Sequence, residues 1–414
     1  MISPDQALKL VVDNVQAVGL ERVSIRQALG RILGEPIHVP RDIPGFDNSA
    51  MDGFAVRSDD LADASRERPV ELKIVETIAA GSVPKVELGP RQAARIMTGA
   101  PIPRGADAVV PIEQTRSSND AVEVLVSVAS GWCVRRRGED LREGDLVLAA
   151  RRRLRAADVG LLASLNCSMV DVYRQPRVAI VCTGDELVDI NQQPSGAQVV
   201  NSNAYALAAA VSEAGGEATL LRVARDRPSE IRERFCEALC CDAILSTGGV
   251  SVGQFDHVEE VLRELGIREL FHGVSQRPGK PLMFGLLERR PVFGLPGNPV
   301  SALVCFELYA KPALRKMGGW ENFWLPKVTA LCAQDIKTAA HLTEFIRVKI
   351  ERRDGQLYAT ASGEQGSAIL STLSRADGLL IAPAKKTILP RGSQVEVLLL
   401  SCEAALAYSP GFEV

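Results

Sequence analysis

RVAIVCTGDELV, residues 177–188, decides how the rest of the chain is read. Five consecutive apolar residues, Val178 to Cys182, run without alternation and stop at a Thr-Gly-Asp-Glu turn. A strand that is apolar on every residue is buried on both faces, as in a parallel sheet covered by helices on each side. The acids therefore fall just beyond the strand's carboxyl end, where open parallel sheets bind their ligands.

Working outward from that strand, the rhythm repeats. Residues 203–216 (NAYALAAAVSEAGG) read as a helix closing on glycine, and 218–224 (ATLLRVA) as a strand. A helix opens on Pro228, followed by a strand at 242–247, a helix at 256–266, a strand at 291–295 and a helix at 299–314. Strands alternating with amphipathic helices predict a parallel α/β sheet over residues 176–318. Residues 326–414 read as a small separate β domain, with Asp354-Gly355 as a hairpin turn. Upstream, the first forty residues read as helical, with Ser3-Pro4 opening one helix and 24–33 (SIRQALGRIL) forming a second. Residues 151–166 (RRRLRAADVGLLASLN) return to helix. Short β-like runs fill 41–144. The expectation is a multi-domain α/β plus β protein: a helical linker domain from 1–40 and 145–175, an inserted β-rich lobe at 41–144, the α/β domain, and the C-terminal β domain.

Composition bounds the function. At 414 residues the chain exceeds a single core, which stops growing near roughly 250–300 residues. A formal net charge of −3 speaks against non-specific nucleic-acid binding. Nine scattered cysteines, an odd number without C-x-x-C, suit reduced thiols in a cytoplasm. The start lacks the basic and apolar regions of a secretory signal, and no apolar run reaches membrane-spanning length. Four widely spaced histidines argue against a histidine-rich metal site.

Four turns should meet at the carboxyl edge of the sheet: 182–188, 224–230, 246–257 and 294–301. Two are glycine-rich and feed helices, so their backbone N–H groups suit phosphate oxygens. Asp185, Glu186, Asp226 and Asp256 stand on the same rim. Carboxylates beside a phosphate cradle call for a cation, and Mg²⁺ is the usual mediator. Taken alone, Asp226 and Asp256 read equally well as helix caps. Thr247-Gly248-Gly249 reads as a tight turn, and 297–303 (GNPVSAL) as a plain helix start. The basic runs 151–155 and 135–140 read as solvated charge, less firmly for the second because Glu139-Asp140 follows its arginines. Residues 273–281 are no Walker loop: five residues separate Gly273 from Gly279, and Pro281 replaces the required hydroxyl. One stretch stays unexplained by turn chemistry alone: PGFDNSAMDGFAVR, residues 44–57, crowded with Asp47, Asn48, Asp52 and Gly53 around Met51 and Phe54.

That stretch, with RIMTGAPIP (95–103), RRRGED (135–140), CTGDEL (182–187), STGGVSVG (246–253), PGKP (278–281) and GLPGNPVSA (294–302), occurs in one order. The ordered set resembles the molybdopterin molybdenumtransferase family, which includes the E domain of gephyrin, over nearly the whole chain. The resemblance implies a central domain of the molybdopterin-binding type and a C-terminal β-barrel-like domain. It implies a reaction in which adenylylated molybdopterin and molybdate give molybdenum cofactor and AMP, with Mg²⁺. It implies an elongated homodimer whose active site lies between the α/β domain of one subunit and the β-rich lobe of the other. Glu186, Asp226 and Asp256 would hold Mg²⁺ or orient water, with Asp52 and Asp140 acting from the partner lobe. Thr98, Thr183, Gly184, Asp185, Thr247, Gly248, Gly249 and Ser251 would line the nucleotide and pterin site. Arg277, Lys280, Pro296, Gly297, Asn298, Pro299, Arg347 and Ser367 match further positions of the same cleft. Relatives carry lysines where this chain has Gly273 and Arg277, and a histidine where it has Ala368.

Two other functions fit parts of the sequence. A pterin adenylyltransferase has a similar α/β domain but needs none of the additional lobes; such an enzyme is also an expected partner. A non-catalytic dimeric scaffold fits the fold but not the joint presence of Asp52, Asp140, Asp226 and Asp256.

Overall fold

The computed structural model describes residues 1–248, 257–339 and 341–400. Contact density divides the chain into two units: Met1–Gly34 with Arg151–Arg155 and everything from Met169 onward, and Glu35–Ala150 with Ala156–Ser168.

In the first unit a six-stranded sheet forms the centre. Four strands run parallel in the order Glu217–Leu220, Arg177–Cys182, Ala243–Thr247 and Arg290–Leu295. Alternate residues face opposite ways. Val178, Ile180, Cys182, Leu245 and Phe293 enter one apolar cluster, while Ala179, Val181, Ile244 and Val292 enter another. Burial on both faces is what the unbroken apolar run required. The sheet is not purely parallel, however. Met283–Leu287 joins Arg290–Leu295 as an antiparallel hairpin, and Arg268–His272 adds an edge strand to it. The hairpin turn is Glu288-Arg289, both left-handed with φ 48° and 72°, and carries no glycine to signal it.

The helix Pro4–Asp13 starts as the sequence indicates, with Ser3 and Gln6 forming a reciprocal cap. The second N-terminal helix, 24–33, is corrected. Ser24 ends a strand, Leu20–Ser24, paired antiparallel with Met169–Tyr173; helix is limited to one short turn at Ile25–Gln27, and Ile32 and Leu33 bridge to Arg153 and Val172. Pairing with residues more than about 100 positions away overrides the local helical spacing, as tertiary context commonly does. The run 151–155 is only partly solvated charge. Arg151 lies over the Tyr173 ring at 5.4 Å and Arg153 over Trp320 at 5.1 Å.

Lys327–Cys332, Thr343–Arg353, Gln356–Ala361, Gly378–Ala382 and Gln394–Leu399 close into a five-stranded barrel, the closure being Thr343–Arg353 against Gly378–Ala382. Asp354-Gly355 makes its hairpin turn, with φ 49° and 79°.

The second unit holds another six-stranded sheet, in the order Ala108–Pro111, Gly53–Val56, Gln92–Ile96, Val70–Ile78, Ala121–Val124, Thr115–Ser117. Phe54 and Val56 bury into one side, Ala55 into the other. This accounts for the apolar half of the 44–57 stretch: Gly53–Val56 is a central strand. It also explains Gly53, because a Cβ there would sit 2.0 Å from the Val110 carbonyl oxygen. Gly53→Ala must push the Ala108–Pro111 strand aside. The expected cost is about 1–3 kcal/mol, from the price of overpacking a fitted interior, read as a lower urea midpoint with an unchanged slope.

Candidate active site

At the carboxyl edge of the parallel strands, two of the four expected turns are bonded together. Gly184 N–H donates to the Ala224 carbonyl at 3.1 Å, and Ala224 N–H to that of Cys182 at 2.9 Å. Beyond these ladder bonds the acids exchange contacts. Asp185 N–H donates to the Asp226 carboxylate at 3.3 Å, and Asp226 N–H to the Asp185 carboxylate at 3.4 Å. Arg225 Nη1 adds a 2.7 Å bond to the Asp185 carbonyl.

This settles the alternative role of Asp226. The cap position of the helix Pro228–Ala238 is Arg227, whose side chain does not cap. Asp226 holds the neighbouring turn instead. Asp185 and Glu186 are exposed and Asp226 half-buried, and none of the three forms an ion pair among the described residues. Glu186 folds back over Gly184, where a Cβ would meet its carboxylate oxygen at 2.6 Å. Gly249, Ser251 and Asp256 lie outside the described residues.

Beside these acids the Thr247-Gly248 turn meets the Pro296-Gly297 turn. Thr247 Oγ1 donates to the Pro296 carbonyl at 3.2 Å. Gly248 has φ 90°, and a Cβ on it would lie 2.5 Å from the Thr183 carbonyl. Only glycine adopts this conformation in this space without strain. Thr183 Oγ1 is buried without a partner. Asn203, which the sequence reading placed only inside a helix, ties the turns: its Nδ2 donates to Thr247 Oγ1 at 2.9 Å and to the Gly297 carbonyl at 2.8 Å. The asparagine cluster at 201–203 was the available signal, but Asn201 alone is the cap.

A cleft of about 300 Å³ opens nearby, lined among others by Arg277, Lys280, Ser301, Gln365 and Ser367. Asn298 stands at the cap position of Pro299–Cys305 but spends its amide on Ser367 Oγ at 3.2 Å; Val300 N–H reaches the Ser367 carbonyl at 3.1 Å. The barrel loop is thereby fixed on the helix start. Arg347 is 1% exposed and donates to the Gly366 and Glu364 carbonyls at 3.1 and 2.9 Å, with Nε unsatisfied. Burial, then the Arg277 charge, pull its guanidinium below its ordinary pKa. Arg277 pairs with the buried Glu344 at 3.2 Å, and Lys280 is exposed. Gly273 is buried, with φ 87°, and a Cβ would lie 3.1 Å from the Met1 side chain.

In the second unit, the acid-rich loop divides into structural and free carboxylates. Asp47 accepts from Arg136 Nη1 and Arg137 N–H, both at 2.8 Å, and Asp42 from Arg137 Nε at 2.6 Å. Two arginines of the 135–140 run are thus paired. Asp52 has a different environment: Thr98 N–H and Thr98 Oγ1 each donate to its Oδ1 at 2.7 Å. These bonds, the backbone one first, hold its carboxyl below the ordinary aspartate range. Asp140 is exposed, and its carboxylate enters no ion pair among the described residues.

Comparison with known proteins finds three successive matches along the chain. Residues 2–166 match the MoeA N-terminal region (domain I and II), 179–316 a probable molybdopterin binding domain, and 329–400 the MoeA C-terminal region (domain IV). A molybdopterin molybdenumtransferase of Nostoc sp. is 39% identical over 92% of this chain and 88% of its own. The Bacillus subtilis protein of that name is 35% identical over 96% and 94%. A crystal structure of a molybdopterin biosynthesis protein from Pyrococcus horikoshii superposes with a TM-score of 0.80, at 34% identity, over 96% of this chain and 100% of that one. Three matched regions in this order, and relatives aligned nearly end to end, place the chain in the molybdopterin molybdenumtransferase family.

Proposed function

We propose that the chain is a transferase of molybdenum cofactor biosynthesis, taking adenylylated molybdopterin and molybdate and giving molybdenum cofactor and AMP. The observation that carries this reading is the acid edge of the parallel strands. Asp185 and Asp226 lock two turns together, and among the described residues neither carboxylate, nor that of Glu186, forms an ion pair, Arg225 reaching only the Asp185 carbonyl. Such an edge suits a ligand that arrives with its own cation.

The donor set is oxygen only, which fits a hard dication. Glu186 and Asp226, together with Asp256, would hold Mg²⁺. Bound there, the ion would neutralise charge on the phosphate oxygens of the substrate. The chain's own residues do the rest. Gly248 lets backbone approach the nucleotide, and the buried Thr183 hydroxyl lies directly beneath that turn. Arg277 and Lys280 offer cationic donors to molybdate, an oxyanion of a size for their cleft. Arg347 works from behind, fixing the carbonyls of the loop that presents Ser367. Cleavage of the adenylyl bond needs positioned water and neutralised charge more than a protein nucleophile. Asp256 orients that water, and Asp52 and Asp140 act on the same cleft from the lobe of a partner subunit in a homodimer.

The direct test is AMP release from adenylylated molybdopterin on addition of molybdate. Wild type releases AMP in single turnover with Mg²⁺. Asp256→Asn keeps cap and shape but loses charge, so it should bind substrate and release AMP at least about 100-fold more slowly. A wild-type rate in that variant returns Asp256 to a helix cap.

Mixing Asp52→Ala with Asp256→Ala subunits should restore activity, because one cleft of each heterodimer keeps both acids. Isolated heterodimers without recovered AMP release would end the shared-cleft reading.

Thr98→Val deletes one of the two donors on Asp52 and leaves the backbone donor. A depressed carboxyl stabilises the fold above the unfolded pKa and loses that contribution as pH falls through the folded one. In the variant the Asp52 titration should move up toward the ordinary range, followed by carboxyl carbon NMR. The acid limb of the pH–rate profile should move with it.

A further inference from the structure

On the edge strand of the α/β sheet, Glu269 and His272 are three residues apart and would ordinarily face opposite sides. The pairing of Arg268–His272 with Met283–Leu287 shifts register between Glu269 and Phe271, and such a bulge re-aims the side chains that follow it. Glu259 reaches the same point from the helix His257–Glu264. One donor atom from each of Glu259, Glu269 and His272 lies within 4.8 Å of the other two.

Within this group, Glu259 divides its two oxygens. Oε1 accepts from Arg263 at 2.6 Å, while Oε2 faces His272 Nδ1 at 3.9 Å, too far for a hydrogen bond. Glu269 forms no ion pair among the described residues. Two carboxylates are thus brought together with a single arginine on the outer oxygen of one, and the His272 imidazole, which would form an ion pair with Glu259 if protonated, converges on them. Two carboxylate oxygens and one imidazole nitrogen suit a divalent first-row transition ion, with water completing its shell.

We propose that Glu259, Glu269 and His272 form a binding site for such an ion, of the Zn²⁺ class, separate from the catalytic acids. The site joins two segments that matter for the reaction. The helix carrying Glu259 begins immediately after residue 256, and the strand ending at His272 leads directly into the stretch bearing Arg277 and Lys280. An ion here fastens the root of one to the root of the other. The Glu186–Asp226 edge uses oxygen donors alone, so the imidazole distinguishes the two sites chemically.

The test uses the untagged full-length chain, stripped with a chelator and titrated with Co²⁺. One equivalent should produce visible d–d absorption without the near-ultraviolet band of a cobalt–thiolate bond, and Zn²⁺ should displace it. His272→Gln and Glu269→Gln should each weaken binding at least tenfold, while Asp226→Asn leaves it unchanged. Circular dichroism of the stripped proteins identifies any variant that fails to fold, and the exposed Glu269→Gln then carries the test. The proposal is overturned by the absence of saturable cobalt absorption, by a thiolate band, or by a spectrum that survives both substitutions. Loss in Asp226→Asn alone overturns it too, by moving the ion to the catalytic edge.

Discussion

Parallel strands that end together leave their last backbone groups facing open space, and those groups must be paired or solvated. Here the strand ending at Cys182 and the chain leaving Leu220 solve the problem jointly. Backbone bonds run between Gly184 and Ala224, and then carboxylates take over, Asp226 on the Asp185 amide and Asp185 on the Asp226 amide. Each acid satisfies a backbone donor of the other turn with one carboxylate oxygen. The same bonds that finish the sheet therefore fix where these acids stand.

The remaining turns repeat this economy with neutral groups. Asn203 joins Thr247 to Gly297, and Asn298 joins the helix start to Ser367 of the barrel loop. Arg347 holds that loop by its carbonyls from a buried position. Side-chain amides and a guanidinium make these ties because each offers several donors in fixed geometry. Glycine stands where backbone must pass closely, at Gly248 against Thr183 and at Gly53 against Val110.

In the second unit, charge is sorted by the same logic. Arg136 and Arg137 spend themselves on Asp47 and Asp42, which shapes the loop. Asp52 is instead held by the neutral donors of Thr98, so its charge remains uncompensated.

Much of this was legible in the chain itself. The apolar run 178–182 predicted a doubly buried strand, because only such burial tolerates five apolar residues without alternation. Asp354-Gly355 predicted its hairpin because the two-residue turn needs positive φ twice. The acids at the strand ends were named from spacing alone. Other features were decided by the tertiary structure. The run 24–33 has helical spacing, but Ile32 and Leu33 bridge to Arg153 and Val172, and the Glu288-Arg289 hairpin carries no turn residues. Asp226 could be read as a cap until its partner proved to be the Asp185 amide. The asparagine cluster at 201–203 gave no sign that Asn203 ties Thr247 to Gly297, and nothing local marked the convergence of Glu259, Glu269 and His272. The division has one cause: burial, turn dihedrals and strand ends are set by neighbours along the chain, whereas partners brought together by folding leave no mark on the sequence around either one.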